Sequence, residues 1–274
     1  MKDRKINTGH YVILSLWSLL VLFPVWTMLV NSMKKQLDIF RNPFVFPMPP
    51  NFDGYLYVFR ESNFMLYCWN TLLVTTITIF GILFIGSLAA YALANWKGFA
   101  SKLIYIVFLA GIMIPIRLGT INIFQIIRSL GLMGSYASLI PVYIAWGLPM
   151  AVFILTTFIR DIPYELVESA SIDGASKFRT YSSIIVPLIR PALGTVAIFN
   201  LINIWNDIWF PLIFNLQEDQ RTLLLGVTYF FGTYQTDWTK VLVILTLATL
   251  PILILYMIMS KQFIKGLTAG AVKG

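Results

Sequence analysis

Long uncharged apolar segments constrain the fold of this 274-residue chain more than any other feature of its sequence. Crossing a bilayer as an α-helix takes about 20 consecutive, mainly apolar residues. Hydrophobic residues make up 58% of the chain and charged residues 12%, whereas soluble domains carry about 45–50% and about 25%. Segments that meet the length requirement lie near residues 11–32, 66–93, 103–124, 137–158, 189–214 and 239–260. We therefore predict an all-α polytopic membrane helix bundle with six transmembrane helices, formed by a single domain over residues 1–274.

Polar residues make the third and fifth segments less clear than the others, and basic residues precede the first segment as they do in a signal sequence. Arg117 falls inside the third segment, and the fifth contains asparagines and Asp207. The first run, from Tyr11 to about Met33, is too long for the apolar region of a signal peptide, and no small-x-small cleavage site follows it. We predict that it is retained as an anchor.

Basic residues predict an orientation. In membrane proteins Lys and Arg collect in cytoplasmic loops, so the net charge of +8 fits an anionic lipid surface and does not suggest nucleic acid. With six spans, one side receives Lys2, Arg4, Lys5, Lys97, Lys102, Arg160, Lys177, Arg179, Arg190, Lys261, Lys265 and Lys273. The opposite side has fewer, although its first loop also contains basic residues. We predict a multi-pass protein of the cell membrane with both termini in the cytoplasm.

The first outer loop, about residues 33–65, is rich in proline. Proline disfavours both helix interiors and fully paired sheets. We therefore predict an extended surface segment here.

A charged, polar insert at about residues 159–187 separates the fourth and fifth apolar segments. Asp161-Ile-Pro163 has the pattern of a helix start, with an acidic cap and a proline in the first turn. Glu165 and Glu168 then lie on one helical face. Gly174 can take the left-handed conformation that ends a helix. We predict a short helix along the membrane surface, a sharp turn and a return towards the fifth span.

The charge of the insert favours a protein partner. An amphipathic helix that rests on lipid headgroups would carry Lys and Arg on its polar face. The first half of the insert instead presents Asp161, Glu165, Glu168 and Asp173, which an anionic leaflet would repel. We therefore predict that another protein docks on this insert.

The spacing within the insert matches a known pattern. Glu168-Ser-Ala170 is followed after three residues by Gly174 and, after nine more, by Ile184-Ile-Val-Pro187. This resembles the EAA loop of binding-protein-dependent ABC importer permeases, in which Glu-Ala-Ala, three residues, Gly and nine residues precede Ile-x-Leu-Pro. Ser169 here replaces the first alanine, and Val186 replaces the leucine.

Two further segments extend the resemblance over essentially the full chain. Trp205-Asn206-Asp207 with Pro211-Leu212, and the terminal stretch 266–274, resemble the sugar-importing branch of these permeases. They are most similar to the G-type permease subunits of maltose importers.

The resemblance implies that the insert is a coupling helix loop that transmits the work of an ATPase. The residues expected to contact or position that ATPase are Glu165, Glu168, Ser169, Ala170, Asp173, Gly174, Ala175 and Pro187. The implied partners are a second homologous permease, ABC ATPase subunits, an extracytoplasmic sugar-binding protein and membrane lipid. The chain has no Gly-x-x-x-x-Gly-Lys-Ser/Thr phosphate loop, so ATP and Mg are expected in the partner ATPase and no cofactor in this chain.

Polar residues of the fifth segment are candidates for the substrate pathway. Asn200, Asn203 and Asp207 are spaced to share one helical face, and intramembrane polar residues suggest function. Trp205 could stack on sugar or belong to the outer aromatic belt. At about 1.5 Å per residue, Asp207 lies roughly 26 Å beyond Arg190, near the outer mouth. We predict that Asn200, Asn203 and Trp205 line the pathway.

A second group is predicted at the interface between permeases. It consists of Asn206, Asp207 and Arg117. Arg117 could pair with Asp207, meet an anionic sugar or extend to the membrane surface.

Two other classes of function compete with this prediction. A secondary transporter of a small polar solute would need ionisable residues near the midplane and often has internal repeats, and neither is clear here. A membrane enzyme would need a cluster of His, Cys or carboxylate side chains. His10 and Cys68 are the only residues of their types, so we predict no catalytic residues, no metal site and no internal disulfide.

Overall fold

A computed structural model describes the backbone of residues 8–96, 98–230 and 236–271, and the side chains up to residue 257 apart from those of Thr8 and Tyr229. Within these ranges four helical segments are long and apolar enough to span a membrane: α1 (Thr8–Ser32), α4 (Phe64–Asn95), α7 (Leu139–Arg160) with the turn before it, and α14 (Trp238–Ala271) up to Met257. Two bent helix pairs raise the number of candidate spans to six. The prediction of an all-α polytopic protein is confirmed.

Shorter helices connect these spans. They are α2 (Gln36–Arg41), α3 (Asp53–Glu61), α5 (Phe99–Met113), α6 (Thr120–Ser129), α8 (Tyr164–Ile172), α9 (Lys177–Thr180), α10 (Val186–Leu188), α11 (Arg190–Trp205), α12 (Trp209–Ile213) and α13 (Leu223–Val227). The prediction that residues 33–65 are extended is therefore wrong for α2 and α3, because the prolines are confined to the stretch between these helices.

The third predicted span is broken rather than continuous. Helix α5 ends at Met113, and the helix pair on either side of the break meets at 91°. Pro115 causes the break: it lacks an N–H, and its ring disfavours helical geometry at the residue before it. Ile114 accordingly adopts extended angles, with φ −85° and ψ 116°.

The fifth predicted span is also broken, and it ends early. The segment Lys177–Leu188 meets α11 at 74°, with Pro191 near the start of the new helix. Helix α11 ends at Trp205, so Asp207 lies outside it. The prediction that Asp207 shares a helical face with Asn200 and Asn203 is therefore wrong.

Contacts divide the chain into two compact units, and the prediction of one domain remains a prediction. The first unit comprises Met1–Met65 and Gly226–Pro251. Within it, Lys34 is buried, and its Nζ donates to Asn31 Oδ1 at 2.8 Å and to the Asn42 carbonyl at 2.7 Å. These bonds tie the end of α1 to the proline-rich stretch.

The second unit comprises Leu66–Leu225 and Ile252–Gly274, and small residues bring its helices close together. A Cβ atom on Gly86 of α4 would lie 3.0 Å from the Ala151 Cβ of α7. A Cβ on Gly147 of α7 would overlap side-chain atoms of Ile82 and Asn200. Such small-residue contacts are typical of membrane helices, which lack a hydrophobic driving force for association within lipid.

We expect Gly86→Val to destabilise the second unit by about 1–3 kcal/mol, because backbone-attached atoms of α7 cannot move away from the new side chain. Gly9→Val is the matched control, since a Cβ there meets nothing within 4 Å. Thermal unfolding of the detergent-solubilised protein measures both. Equal melting temperatures for the two variants would show that α4 and α7 are not closely packed at Gly86.

Candidate functional site

The insert between α7 and α11 folds as two short helices joined by a tight turn. The predicted cap Asp161 does not start the first of them. Asp161 instead ends α7, where its N–H bonds to the Ile159 carbonyl, and Pro163 occupies the position before α8.

 The N–H of Ile162 bonds to the same Ile159 carbonyl at 3.2 Å, which completes the end of α7. The cap prediction fails because the residue before a proline is held out of helical geometry, so α8 can begin only after Pro163.

The turn after α8 is closed by two backbone hydrogen bonds around Gly174. The Ala175 N–H bonds to the Ala170 carbonyl at 2.9 Å, and the Gly174 N–H bonds to the Ser171 carbonyl at 3.1 Å. This pair of bonds is the Schellman motif, which needs a left-handed residue directly after the helix cap. Gly174 has φ +78°, so the predicted left-handed turn is confirmed.

The return segment, residues 176–188, begins directly after this turn and changes from α-helix to π-helix and back to α-helix along its length. The Ser176 Oγ accepts from the Arg179 N–H at 3.3 Å and caps α9. A π-helical turn, Tyr181–Ile185, follows and leads into α10, where Pro187 is exposed. A single π-helical turn of this kind is frequent at functional sites.

Tyr181 anchors the return segment to α4, and the sequence analysis did not identify it. Its hydroxyl lies 2.6 Å from the Ser87 Oγ, and both side chains are buried. Because Ser87 donates its own proton to the Leu83 carbonyl at 2.5 Å, Tyr181 is the donor to Ser87. The Tyr181 ring also lies 5.5 Å from the Tyr91 ring, centroid to centroid. No local pattern marks this contact, because its partners are 94 residues apart.

The solvent-exposed surface of the insert combines carboxylates with large apolar side chains. Glu165, Glu168, Ser169, Asp173 and Gly174 are exposed, whereas Ala170 is buried and Ala175 half-buried.

Two large apolar side chains on this surface are mostly exposed to solvent. Ile172 is 80% exposed and Phe178 is 66% exposed. A cavity of about 300 Å³ lies between α8 and the return segment, lined in part by Asp173 and Arg179. Apolar side chains exposed beside charges are typical of a surface that another protein covers.

The structure separates the polar residues that the sequence grouped as a pathway. Asn200 is only 4% exposed, its Nδ2 donates to the Val196 carbonyl at 2.9 Å, and its side chain packs on Gly147. Asn203 is half-buried and Trp205 is buried. Within this chain, Asn200 therefore lies in the contact between α7 and α11, and the pathway role of these residues remains a prediction.

Asp207 is buried in the break between α11 and α12, where it accepts several hydrogen bonds. Its Oδ2 accepts from the Tyr143 hydroxyl at 2.8 Å and from the Phe210 N–H at 3.2 Å. Its Oδ1 accepts from the Trp209 N–H at 3.3 Å. The carboxylate thus caps α12 and ties it to α7.

Arg117 completes this group from the other broken span. Its Nη2 lies 3.9 Å from Asp207 Oδ1, so of the three alternatives that the sequence left open for Arg117 the structure shows the pairing with Asp207. Its guanidinium carbon lies 5.6 Å from the centre of the Trp209 ring, and the Trp209 Nε1 donates to Thr120 Oγ1 at 3.0 Å. Asn206 is exposed and bonds to its own helix. The role of these residues between two permeases remains a prediction, whereas their contacts within the chain join the break at Pro115 to the break between α11 and α12.

Comparisons with known proteins give one family. Residues 81–269 match the family described as "Binding-protein-dependent transport system inner membrane component". ORF2 of Caldicellulosiruptor sp. (strain Rt8B.4), whose name describes an ABC transporter permease, is 39% identical over 99% of this chain and 98% of its own length. The trehalose/maltose transport system permease protein MalG of Thermococcus litoralis is 30% identical over 94% of each chain.

A solved structure shares the fold. A chain from the crystal structure of a bacterial ABC transporter that imports the acidic polysaccharide alginate superposes with a TM-score of 0.81. The match covers 95% of this chain and 97% of that chain at 20% sequence identity.

We expect Asp207→Ala to destabilise the protein by about 1–3 kcal/mol for each buried donor that loses its acceptor. Tyr143→Phe should cost less, because the carboxylate keeps the two backbone N–H groups. The double variant should cost less than the sum of both, since the two side chains interact directly. Thermal unfolding of the three variants measures this coupling, and Asn206→Ala is the exposed neighbouring control. Strictly additive effects would contradict the hydrogen bond between Tyr143 and Asp207.

Proposed function

We propose that this chain, which belongs to the family of binding-protein-dependent transport system inner membrane components, carries a carbohydrate across the cell membrane in an ATP-driven importer. Family membership makes it a permease of an ABC transporter and removes the reason to consider a secondary transporter. The name of the relative MalG, a trehalose/maltose permease, supports a sugar or oligosaccharide as the substrate.

The exposed surface of α8 and the return segment is the observation that carries this proposal. It presents Glu165, Glu168 and Asp173 beside the exposed side chains of Ile172 and Phe178. We infer that an ABC ATPase subunit docks there, binds ATP and Mg itself, and pushes on the insert during its cycle. No cofactor is proposed for this chain.

The contacts of the insert provide a route for that push. The Schellman turn at Gly174 fixes the angle between α8 and the return segment. The Tyr181 hydrogen bond then connects the return segment to Ser87 of α4, and the chain continues through the bend at Arg190 into α11. Movement of the docked surface would therefore reach two spans directly.

The remaining partners and the orientation follow from the same proposal. A second homologous permease would complete the pathway, and an extracytoplasmic binding protein would deliver the sugar. Both termini and the insert would lie in the cytoplasm. Of the basic residues that support this orientation, Lys2, Arg4, Lys5, Lys97 and Lys273 lie outside the described residues, as do the side chains of Lys261 and Lys265.

Reversing one charge on the docking surface should release the ATPase. We expect Glu168→Lys to reduce the amount of ATPase that co-purifies with the permease by about tenfold or more, because the substitution replaces an attraction by a repulsion. Glu61→Lys is the matched control, since Glu61 is exposed at the end of α3 and outside the insert. The ratio of the subunits in the purified complex is measured by mass spectrometry. An unchanged ratio in Glu168→Lys would place ATPase docking elsewhere.

The orientation is tested by labelling single cysteines. In a Cys68→Ala background, Lys177→Cys should not react with an impermeant thiol reagent in intact cells and should react after permeabilisation. Met48→Cys is the control on the other side, because Met48 is exposed in the proline-rich stretch. Rapid labelling of position 177 in intact cells would reverse the proposed topology.

A further inference from the structure

A cavity of about 540 Å³ opens at the membrane surface from which the insert emerges. The end of α4, the start of α5 and the end of α7 form it. The lining residues that matter are Trp96, Gly98, Phe99, Ser101, Lys102 and Arg160. Arg160 is the last residue of α7 and directly precedes the insert, so the cavity and the insert share one membrane surface.

The cavity is positively charged. Lys102 and Arg160 are exposed, and no carboxylate is among the residues that line it. Among the described residues, neither side chain lies within 4.0 Å of a carboxylate oxygen. The Arg160 guanidinium carbon lies 5.0 Å from the centre of the Tyr105 ring of α5, a cation–π contact that holds the charge beside the cavity. Both cations are therefore available to an anion.

The start of α5 adds hydrogen-bond donors at the same place. The residue before the helix, Gly98, has no side chain that could cap the first turn. The Ser101 Oγ donates to the Leu93 carbonyl at 3.2 Å and is directed away from that role. The first N–H groups of this 15-residue helix carry the positive end of its dipole, which favours an anion.

Apolar side chains surround the charged end. Phe99 is 82% exposed, and Trp96 beside it is also exposed. Along α5, Leu103, Ile106 and Val107 are exposed on one helical face. An acidic protein surface would not need this apolar face next to the cations, whereas a phospholipid has a charged headgroup and acyl chains in this arrangement.

We propose that this cavity binds the headgroup of an anionic phospholipid, with its phosphate between Lys102 and Arg160 at the start of α5. The acyl chains lie along Leu103, Ile106 and Val107. Basic pockets between spans on the cytoplasmic side are suited to such headgroups, and the orientation proposed above places this one there. A lipid bound here would sit next to the root of the insert and support the position of α7 relative to α4 and α5.

The test measures lipid retention by the purified transporter complex in native mass spectrometry, with phosphatidylglycerol and phosphatidylcholine of equal chain length. We expect the wild type to retain phosphatidylglycerol in preference to phosphatidylcholine. The double variant Lys102→Gln/Arg160→Gln should bind phosphatidylglycerol at least about tenfold more weakly than the wild type. The variant Arg160→Lys, which keeps the charge, should retain most of the binding.

Arg128→Gln is the matched control, because Arg128 is an exposed basic residue of α6 that does not line the cavity. Inorganic phosphate in excess distinguishes a lipid site from a general anion site, and complete displacement of the lipid by it would overturn the proposal. Equal retention of both lipids, or unchanged retention in the double variant, would overturn it as well. Loss of the ATPase from the double variant with lipid retention unchanged would assign the cavity to a protein partner. Lipid retention does not depend on which side the insert faces, so a reversed topology would leave these outcomes distinct.

Discussion

The hydrogen bonds of Asp207 satisfy the backbone groups at the break between α11 and α12, where helical hydrogen bonds are missing. Hydrocarbon cannot satisfy free backbone groups, so a break in a span needs polar side chains that replace the missing helical bonds. The buried carboxylate of Asp207 accepts from the N–H groups of Trp209 and Phe210 and from the Tyr143 hydroxyl. Without it, the start of α12 would expose unpaired donors beside α7.

The same carboxylate links the end of α11 to the broken third span. Pro115 breaks the third span, and Arg117 follows within the next turn, where its guanidinium reaches Asp207 at 3.9 Å and lies over Trp209. Breaks in membrane helices are tolerated where neighbouring elements satisfy the freed groups. The break after α11 is consistent with that rule, because Asp207 accepts from the N–H groups at the start of α12 and lies beside the Arg117 guanidinium.

Two kinds of contact hold the insert in place: local bonds within its turn and a tertiary contact with a span. Its turn depends on Gly174 and on backbone bonds among neighbouring residues, so it is a local feature. Its attachment to the spans depends on Tyr181 and Ser87, which are far apart in the chain. A surface shaped by local bonds and attached to a span by a buried hydrogen bond is suited to transmit displacement, as the proposed coupling to a separate ATPase requires.

Four features could be predicted from the amino-acid sequence: the class of fold, the approximate positions of the spans, the left-handed turn at Gly174 and the acidic surface of the insert. These features depend on hydropathy over about 20 residues or on the conformational limits of single residues, which neighbours in the chain decide. Three contacts became evident only in the folded chain: Asn200 packs against Gly147, Asp207 lies outside the helix and caps α12, and Tyr181 bonds to Ser87. Burial and hydrogen bonding of these side chains depend on residues from other helices, and no local period of the sequence encodes which helix will be the neighbour.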